Sequence, residues 1–266
     1  MVGDAGGPGR TAPGLRAAYD TGARLWAEGP EPVYASLARA LLASLDGGAA
    51  DGRVLDLGAG TGVAGRAALA AGARSVVSAD SALGMLRRCA AGLHPVAADA
   101  TALPFRDGCF DLVLGAFCLG HLARPVAGLR EARRVGAALA ASAFAGGWTH
   151  PAKAAVDEVL GAFGYRPPPW YLTFKRDTEP WASDPAAVGR DMAAAGYTDI
   201  RLRTIMVDTG LSHPAELAAW RLGMAHVAPF VSSLTAARGA SLYRAAETAV
   251  TGTGPLVVDM LVLTAR

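Results

Sequence analysis

A chain of 266 residues with 52% apolar side chains has enough core for one large α/β domain or two small ones. Its 25 basic and 23 acidic residues leave a formal charge of +2 and are spread along the chain, which argues against a phosphate-backbone track and so against nucleic acid as a partner. The three cysteines, Cys89, Cys109 and Cys118, have no metal-type spacing, so neither a disulfide framework nor a metal site is expected, and a reducing cytoplasm fits best.

Residues 1–14, "MVGDAGGPGRTAPG", form a Gly/Pro-rich start, expected to be flexible and lacking the apolar core of an export signal. No later stretch holds about 18 unbroken apolar residues, so no membrane span is expected. Residues 15–50 carry apolar side chains at helical spacing, broken at Gly29 and Pro30, and predict a two-piece helical cap. From Arg53 onward, short apolar runs alternate with helix-like stretches: "RVLDLG", "RSVVSAD", "HPVAAD", "FDLVLGAF" and "AALAASAF". Continuous apolar strands of this kind belong to a parallel sheet buried on both faces. Residues 146–183 interrupt the rhythm with Pro and aromatics and read as an insertion. A helix follows, with Asp184 as N-cap and Pro185 in its first position. Two more strands, "TDIRLRTIMVDTG" and "PLVVDMLVLTAR", flank a helical stretch within 212–250.

The chemistry concentrates in "VLDLGAGTG", Val54 to Gly62. Alternating glycines after a strand let the backbone turn tightly against a ligand, and the next helix offers its first amides. Gly60, Gly62 and Gly65 satisfy the dinucleotide spacing G-x-G-x-x-G. That motif, however, needs its first glycine directly after the strand, where Gly58 stands, and Val63 then occupies the third glycine's place. Asp80 ends the second strand about 20 residues past the glycines, where a carboxylate can meet ribose hydroxyls. Asp99 ends the third, so both acids lie on one rim of the sheet.

In this order and spacing, "VLDLGAGTG", "ADSALGML", "AADATALPF" and "FDLVLGAFCLGHL" resemble the class I S-adenosylmethionine-dependent methyltransferases, in particular the small-molecule group related to ubiquinone and menaquinone methyltransferases. The resemblance covers about Tyr19 to Phe144. It implies a Rossmann-like, mostly parallel seven-stranded sheet with helices on both faces, and S-adenosyl-L-methionine as cofactor. It also implies that Gly58, Ala59 and Gly60 lie against the methionine part, Asp80 holds the ribose, and Met85 packs near the adenine. Asp99 and the Ala100 amide would contact the adenine edge, with Phe117 and His121 flanking the methyl-transfer position. Asp56, Ser81 and Thr101 complete the expected cofactor set. The family's "P-G-G" turn before the fifth strand is here shortened to Gly136.

Methyl transfer is an in-line displacement at a sulfonium, so positioning can supply much of the catalysis. Tyr19 and Phe117 are suitable walls for such a cation. His121 is the candidate base near neutral pH; the competing reading makes it a helix-start histidine bonded to backbone. The segments 146–183 and 212–250, with the N-terminal cap, hold most of the aromatic residues and are expected to cover the substrate. Trp26, Trp148, His150, Trp170, Trp220 and Met224 are the candidate substrate residues. The expected activity is methylation, at oxygen before carbon or nitrogen, of a small, largely apolar metabolite in specialised metabolism, with a homodimer as an open expectation. Two alternatives stand beside it. A cyclase or aminocarboxypropyl transferase would use the same cofactor, and a nicotinamide-dependent oxidoreductase would use the shifted glycine motif.

Overall fold

The computed structural model describes residues 14–45, 49, 51–122 and 124–266. Of the flexible start expected at 1–14, all but Gly14 lies outside the described residues.

Each apolar run becomes a strand: β1 Arg53–Leu57, β2 Ser75–Asp80, β3 His94–Ala97, β4 Leu112–Ala116, β5 Leu139–Phe144, β6 Arg201–Asp208 and β7 Val257–Ala265. They form one sheet in the order β3-β2-β1-β4-β5-β7-β6. The first five strands are parallel, and β7 enters antiparallel between β5 and β6. β1 pairs with β2 on one side and β4 on the other, so the chain's winding reverses there. In open α/β sheets this reversal opens a crevice at the carboxyl ends of the strands.

The strands at this crevice are buried on both faces, as their unbroken apolar runs require. Val54, Leu112 and Leu114 enter one core, while Leu55, Leu57 and Val113 enter the other. The first core is covered by α1 Leu15–Glu28, α2 Glu31–Ala43 and α3 Val63–Ala70; the short α4 Leu83–Leu86 adds Met85. The second is covered by α5 Pro125–Val135. Gly136, in extended conformation, leads directly from α5 towards β5, so the shortened turn suffices.

The insertion is helical: α6 Pro151–Ala162, α7 Pro169–Thr173, a π-helical turn Phe174–Thr178 and α8 Glu179–Ala182. α9 Pro185–Ala194 starts as its sequence predicts, with the Asp184 carboxylate accepting from the Ala186 amide at 2.9 Å. The single helical stretch expected after β6 is three helices, α10 Pro214–Leu222, α11 Ala228–Ser233 and α12 Ala236–Val250. His213 and Glu216 form a reciprocal cap on α10, and the Thr235 side chain caps α12. These side-chain caps create helix starts inside one continuous apolar pattern. The break between α1 and α2 falls at Gly29 and Pro30 as expected; a Cβ on Gly29 would lie 2.1 Å from the Ala219 carbonyl oxygen of α10.

Candidate active site

Two adjoining chambers open at the carboxyl ends of the strands. The first, about 1070 Å³ and partly open to solvent, is floored by Asp56 to Gly60 and walled by Asp80 to Ala82 and Met85. The second, about 890 Å³, lies between β5, the insertion and α10. Tyr19, Tyr34, Phe117 and His121 line both chambers.

The loop after β1 reaches its shape through left-handed backbone at Gly58, Gly60 and Gly62, with φ of 66°, 56° and 80°. Its amides are engaged within the protein. Those of Gly58 and Ala59 donate to the Ala79 carbonyl, and that of Gly60 donates to Asp80 Oδ2 at 2.8 Å. Asp80 Oδ1 accepts from Ala82 N at 2.7 Å, and the lone pairs left on its two oxygens can accept from ribose hydroxyls. Asp56, 2% exposed, accepts from the Gly65 amide in the first turn of α3 at 2.8 Å. Burial above all raises its pKa to about 7, with Asp80 adding to the rise and the Gly65 bond opposing it. Burial likewise raises Asp80.

This arrangement separates the two candidate cofactors. The helix N-terminus that would receive a pyrophosphate already holds a carboxylate, and two acids line the chamber. Such a surface suits the sulfonium and ammonium of S-adenosylmethionine and repels a dinucleotide's phosphates. Gly65 thus has a structural reason of its own: a Cβ there would meet Asp56 Oδ2 and Leu93 at 3.0 Å. Gly58 is also required by the protein, since its Cβ would lie 2.3 Å from that of Cys118. Met85 is 1% exposed, and its Cε would meet a Cβ on Gly60 at 3.1 Å.

Helix α1 closes the first chamber. The Gly84 amide of α4 donates to Asp20 Oδ1 at 2.6 Å, and the two backbones approach so closely that a Cβ on Gly84 would sit 2.3 Å from the Asp20 carbonyl oxygen. This contact carries Tyr19 to the junction. There His121 Nδ1 lies 3.0 Å from the Phe117 carbonyl oxygen, and Nε2 lies 3.3 Å from the Tyr19 hydroxyl. A carbonyl can only accept, so Nδ1 carries the proton and Nε2 presents its lone pair to the junction. His121 closes the short 3-10 turn Leu119–His121 rather than starting a helix; one ring nitrogen is anchored to backbone and the other faces the Tyr19 hydroxyl. Burial lowers its pKa, against the Phe117 bond and Glu179. Burial raises that of Tyr19 far above the phenolic range, so its hydroxyl stays protonated. Phe117 sits at φ 56°, an outlier for a bulky residue, and is fixed there by its amide bond to the Ser142 carbonyl at 3.0 Å.

Ser81 and Ala100 line the first chamber as expected. Asp99 instead turns onto the Thr101 amide and hydroxyl at 2.8 and 2.7 Å, and neither side chain is part of the wall. Trp26, expected on the substrate side, lines the first chamber against Tyr34. His150 lines neither; its Nδ1 caps α6 through the Ala152 amide, and its Nε2 lies 3.2 Å from the Pro255 carbonyl oxygen. Trp148, Trp170, Trp220 and Met224 do line the second chamber. Tyr34 was missed, although its i, i+3, i+4, i+7 pattern with Leu37, Ala38 and Leu41 puts it on the buried stripe of α2. Among the described residues, no group of His, Cys, Asp and Glu could hold a metal, and no helix is long and apolar enough to cross a membrane.

Residues 55–138 match the family model described as a methyltransferase domain. A demethylmenaquinone methyltransferase of Mycolicibacterium gilvum is 36% identical over 164 residues, which is 58% of this chain and 71% of that protein. The enzyme of the same name from Beutenbergia cavernae is 49% identical over 86 residues, 31% of this chain and 35% of its own length. Solved structures share the fold, two of them as follows. A chain from the complex of the Haloferax volcanii Trm112 methyltransferase activator with a methyltransferase superposes with a TM-score of 0.59 at 17% identity, covering 94% of this chain and 96% of that one. The 4+2 cyclase SpnF gives 0.52 at 18% identity, covering 87% and 80%.

Proposed function

The chain belongs to the class I S-adenosylmethionine-dependent methyltransferases, and on that premise we propose that it methylates, at a hydroxyl oxygen, a small, ring-containing acceptor of the reduced quinone-like (hydroquinone) type, in cytoplasmic specialised metabolism. The observation that carries this is the wall shared by the two chambers, Tyr19, Tyr34, Phe117 and His121. When bound, S-adenosylmethionine supplies an electrophilic methyl group. Asp56, Asp80, Gly58 to Gly60 and Met85, which line the first chamber, would hold it there. The aromatic second chamber, with Phe144 stacked on Trp148 at 4.7 Å and Tyr171 on His226 at 3.8 Å, suits a flat ring.

The chain's own residues then do three things. The aromatic wall excludes water from the transfer line. Phe117 and Tyr34, meeting edge to face at 5.3 Å, narrow the passage so that acceptor and donor meet in one orientation. His121 Nε2 takes the proton of an acceptor hydroxyl, and Tyr19, its partner in the absence of an acceptor, holds the ring. The quinone-like acceptor is supported by the similarity to demethylmenaquinone methyltransferases.

The test is to incubate the protein with S-adenosylmethionine and a panel of hydroquinones and phenols, and to read both products by mass. Equal amounts of S-adenosylhomocysteine and an O-methylated acceptor are expected. An acceptor gaining an aminocarboxypropyl arm, or one rearranged without a methyl and without S-adenosylhomocysteine, would replace the proposal with one of the other reactions.

A further inference from the structure

Two consecutive residues that line the second chamber each carry a buried donor with no acceptor within the protein. Arg221 is 4% exposed; its Nη2 bonds Asp157 Oδ1 at 2.7 Å, while its Nε is buried without a partner. The indole Nε1 of Trp220, 2% exposed, is likewise unpartnered. Both residues line the chamber, and the guanidinium carbon stands 5.5 Å from the Trp220 ring centroid. Buried donors are normally satisfied, and leaving even one without an acceptor is costly. Two such donors, on consecutive residues that line a cavity, are what an oxygen ligand seated against them would satisfy.

The charges around them have a sign. Arg221, Lys153 and Lys175 line the chamber with Glu179 as the acid. Lys175 pairs with Glu179, and Asp157, which pairs with Arg221, is more than half exposed. Lys153 lies over the Trp148 ring at 4.8 Å. Its ammonium is pushed down to about 8, by burial first and then by Arg221 and Lys175. His226 is pushed down to about 2, by burial and then by the same three cations. Burial disfavours either sign of charge here, while the field of the cations opposes a further positive charge and draws a negative one, as the lowering of Tyr34 and Tyr171 by Arg221 against their burial shows.

We propose that the methyl acceptor is an aromatic hydroxy-carboxylate: the carboxylate accepts from Arg221 Nε and Trp220 Nε1, and the hydroxyl reaches the His121 junction. This deepens the methyltransferase reading of the same two chambers and rests on it. A planar carboxylate matches a guanidinium edge, and the stacked pairs Phe144–Trp148 and Tyr171–His226 provide faces for the ring.

The experiment is calorimetric titration of the protein, saturated with S-adenosylhomocysteine, with 2-naphthoate and with 2-naphthamide, which share a shape and differ in charge. The wild type should bind the carboxylate at least about tenfold more tightly than the amide, as a charge-assisted bond predicts. Arg221→Met should abolish that preference, weakening the carboxylate far more than the amide. Trp220→Phe, which keeps an aromatic ring and deletes the N–H, should reduce the preference. Asp157→Asn, at an exposed position, should increase it by freeing the guanidinium. Equal affinity of the wild type for both probes overturns the proposal, as does a preference that survives Arg221→Met. If Arg221→Met does not fold, a preference unmoved by both Trp220→Phe and Asp157→Asn overturns it instead. Binding of S-adenosylhomocysteine is measured first: its failure strikes the methyltransferase reading, whereas its success without a carboxylate preference strikes only this inference.

Discussion

Asp56→Asn replaces a buried carboxylate with an amide of the same shape, and stability and cofactor affinity should move in opposite directions. The native carboxyl titrates at about 7, chiefly because burial disfavours its charge, against 3.8 for the ordinary group. One pKa unit corresponds to about 1.4 kcal/mol, so the ionised form at pH 8 carries a penalty of about 4 kcal/mol as a ceiling. The sign follows from proton binding. The folded protein holds this proton more tightly than the unfolded chain, so the group's contribution is most favourable below about pH 4. It declines as pH rises from there to about 7, and is constant above. Asn can still accept from the Gly65 amide and never ionises, so Asp56→Asn should be more stable than wild type at pH 8, by up to that ceiling, and the gap should shrink towards pH 4. Other titrating groups are common to both proteins and cancel in the difference. Urea unfolding of both proteins at pH 5, 6, 7 and 8 measures it. In the same mutant the cofactor's ammonium loses one of two carboxylates lining its chamber, and S-adenosylhomocysteine affinity should fall by about one to two orders of magnitude. A mutant no more stable than wild type at pH 8, or a stability gap that does not change with pH, would refute the reasoning.

Asp80→Ala should lower S-adenosylhomocysteine affinity by about one to two orders of magnitude and, since the carboxylate also ties the Gly60 and Ala82 amides, lower the melting temperature as well; unchanged calorimetric affinity in a folded mutant removes the ribose role. Gly58→Val should cost about 1–3 kcal/mol or more of stability, because the branch meets Cys118 and φ is 66°; a mutant with wild-type melting and selectively lost binding would instead put the ligand, not Cys118, against that position. His121→Ala should leave cofactor affinity nearly unchanged and slow turnover by about 10² to 10⁴-fold. Because burial lowers the His121 pKa, the acidic limb of the wild-type rate profile should fall below the ordinary histidine value of about 6.5, and normal turnover of the mutant from pH 5 to 9 would leave positioning alone to carry the reaction.

The centre of the sheet was legible because strands buried on both faces leave short apolar runs between turn residues; the edge strands β3 and β6 are mostly exposed and lack that pattern. The glycine loop and Asp80 were legible because their spacing is local. What the sequence hid depends on partners far along the chain. His150 is a cap held by Pro255, a bond across 105 positions, and nothing near "GGWTH" announces it. Trp26 faces the cofactor chamber because α1 docks on α4 through Asp20 and Gly84, which helical periodicity cannot convey. Gly58 was expected to make room for ligand, yet its neighbour is Cys118, brought there by the β1–β4 pairing. Arg221 belongs to no motif in the sequence, and it is the packing of α10 against α6 that buries it beside Asp157.

The central claim is that methyl passes from the first chamber to the second between Tyr19, Tyr34, Phe117 and His121. A crystal structure of the complex with S-adenosylhomocysteine tests it directly. The ribose should contact Asp80, the amino acid part should lie along Gly58 to Gly60, and the sulfur should point through the junction towards the second chamber, in van der Waals contact with Tyr19 or Phe117. A sulfur directed away from that junction, or an adenosine seated in the second chamber, would contradict the account.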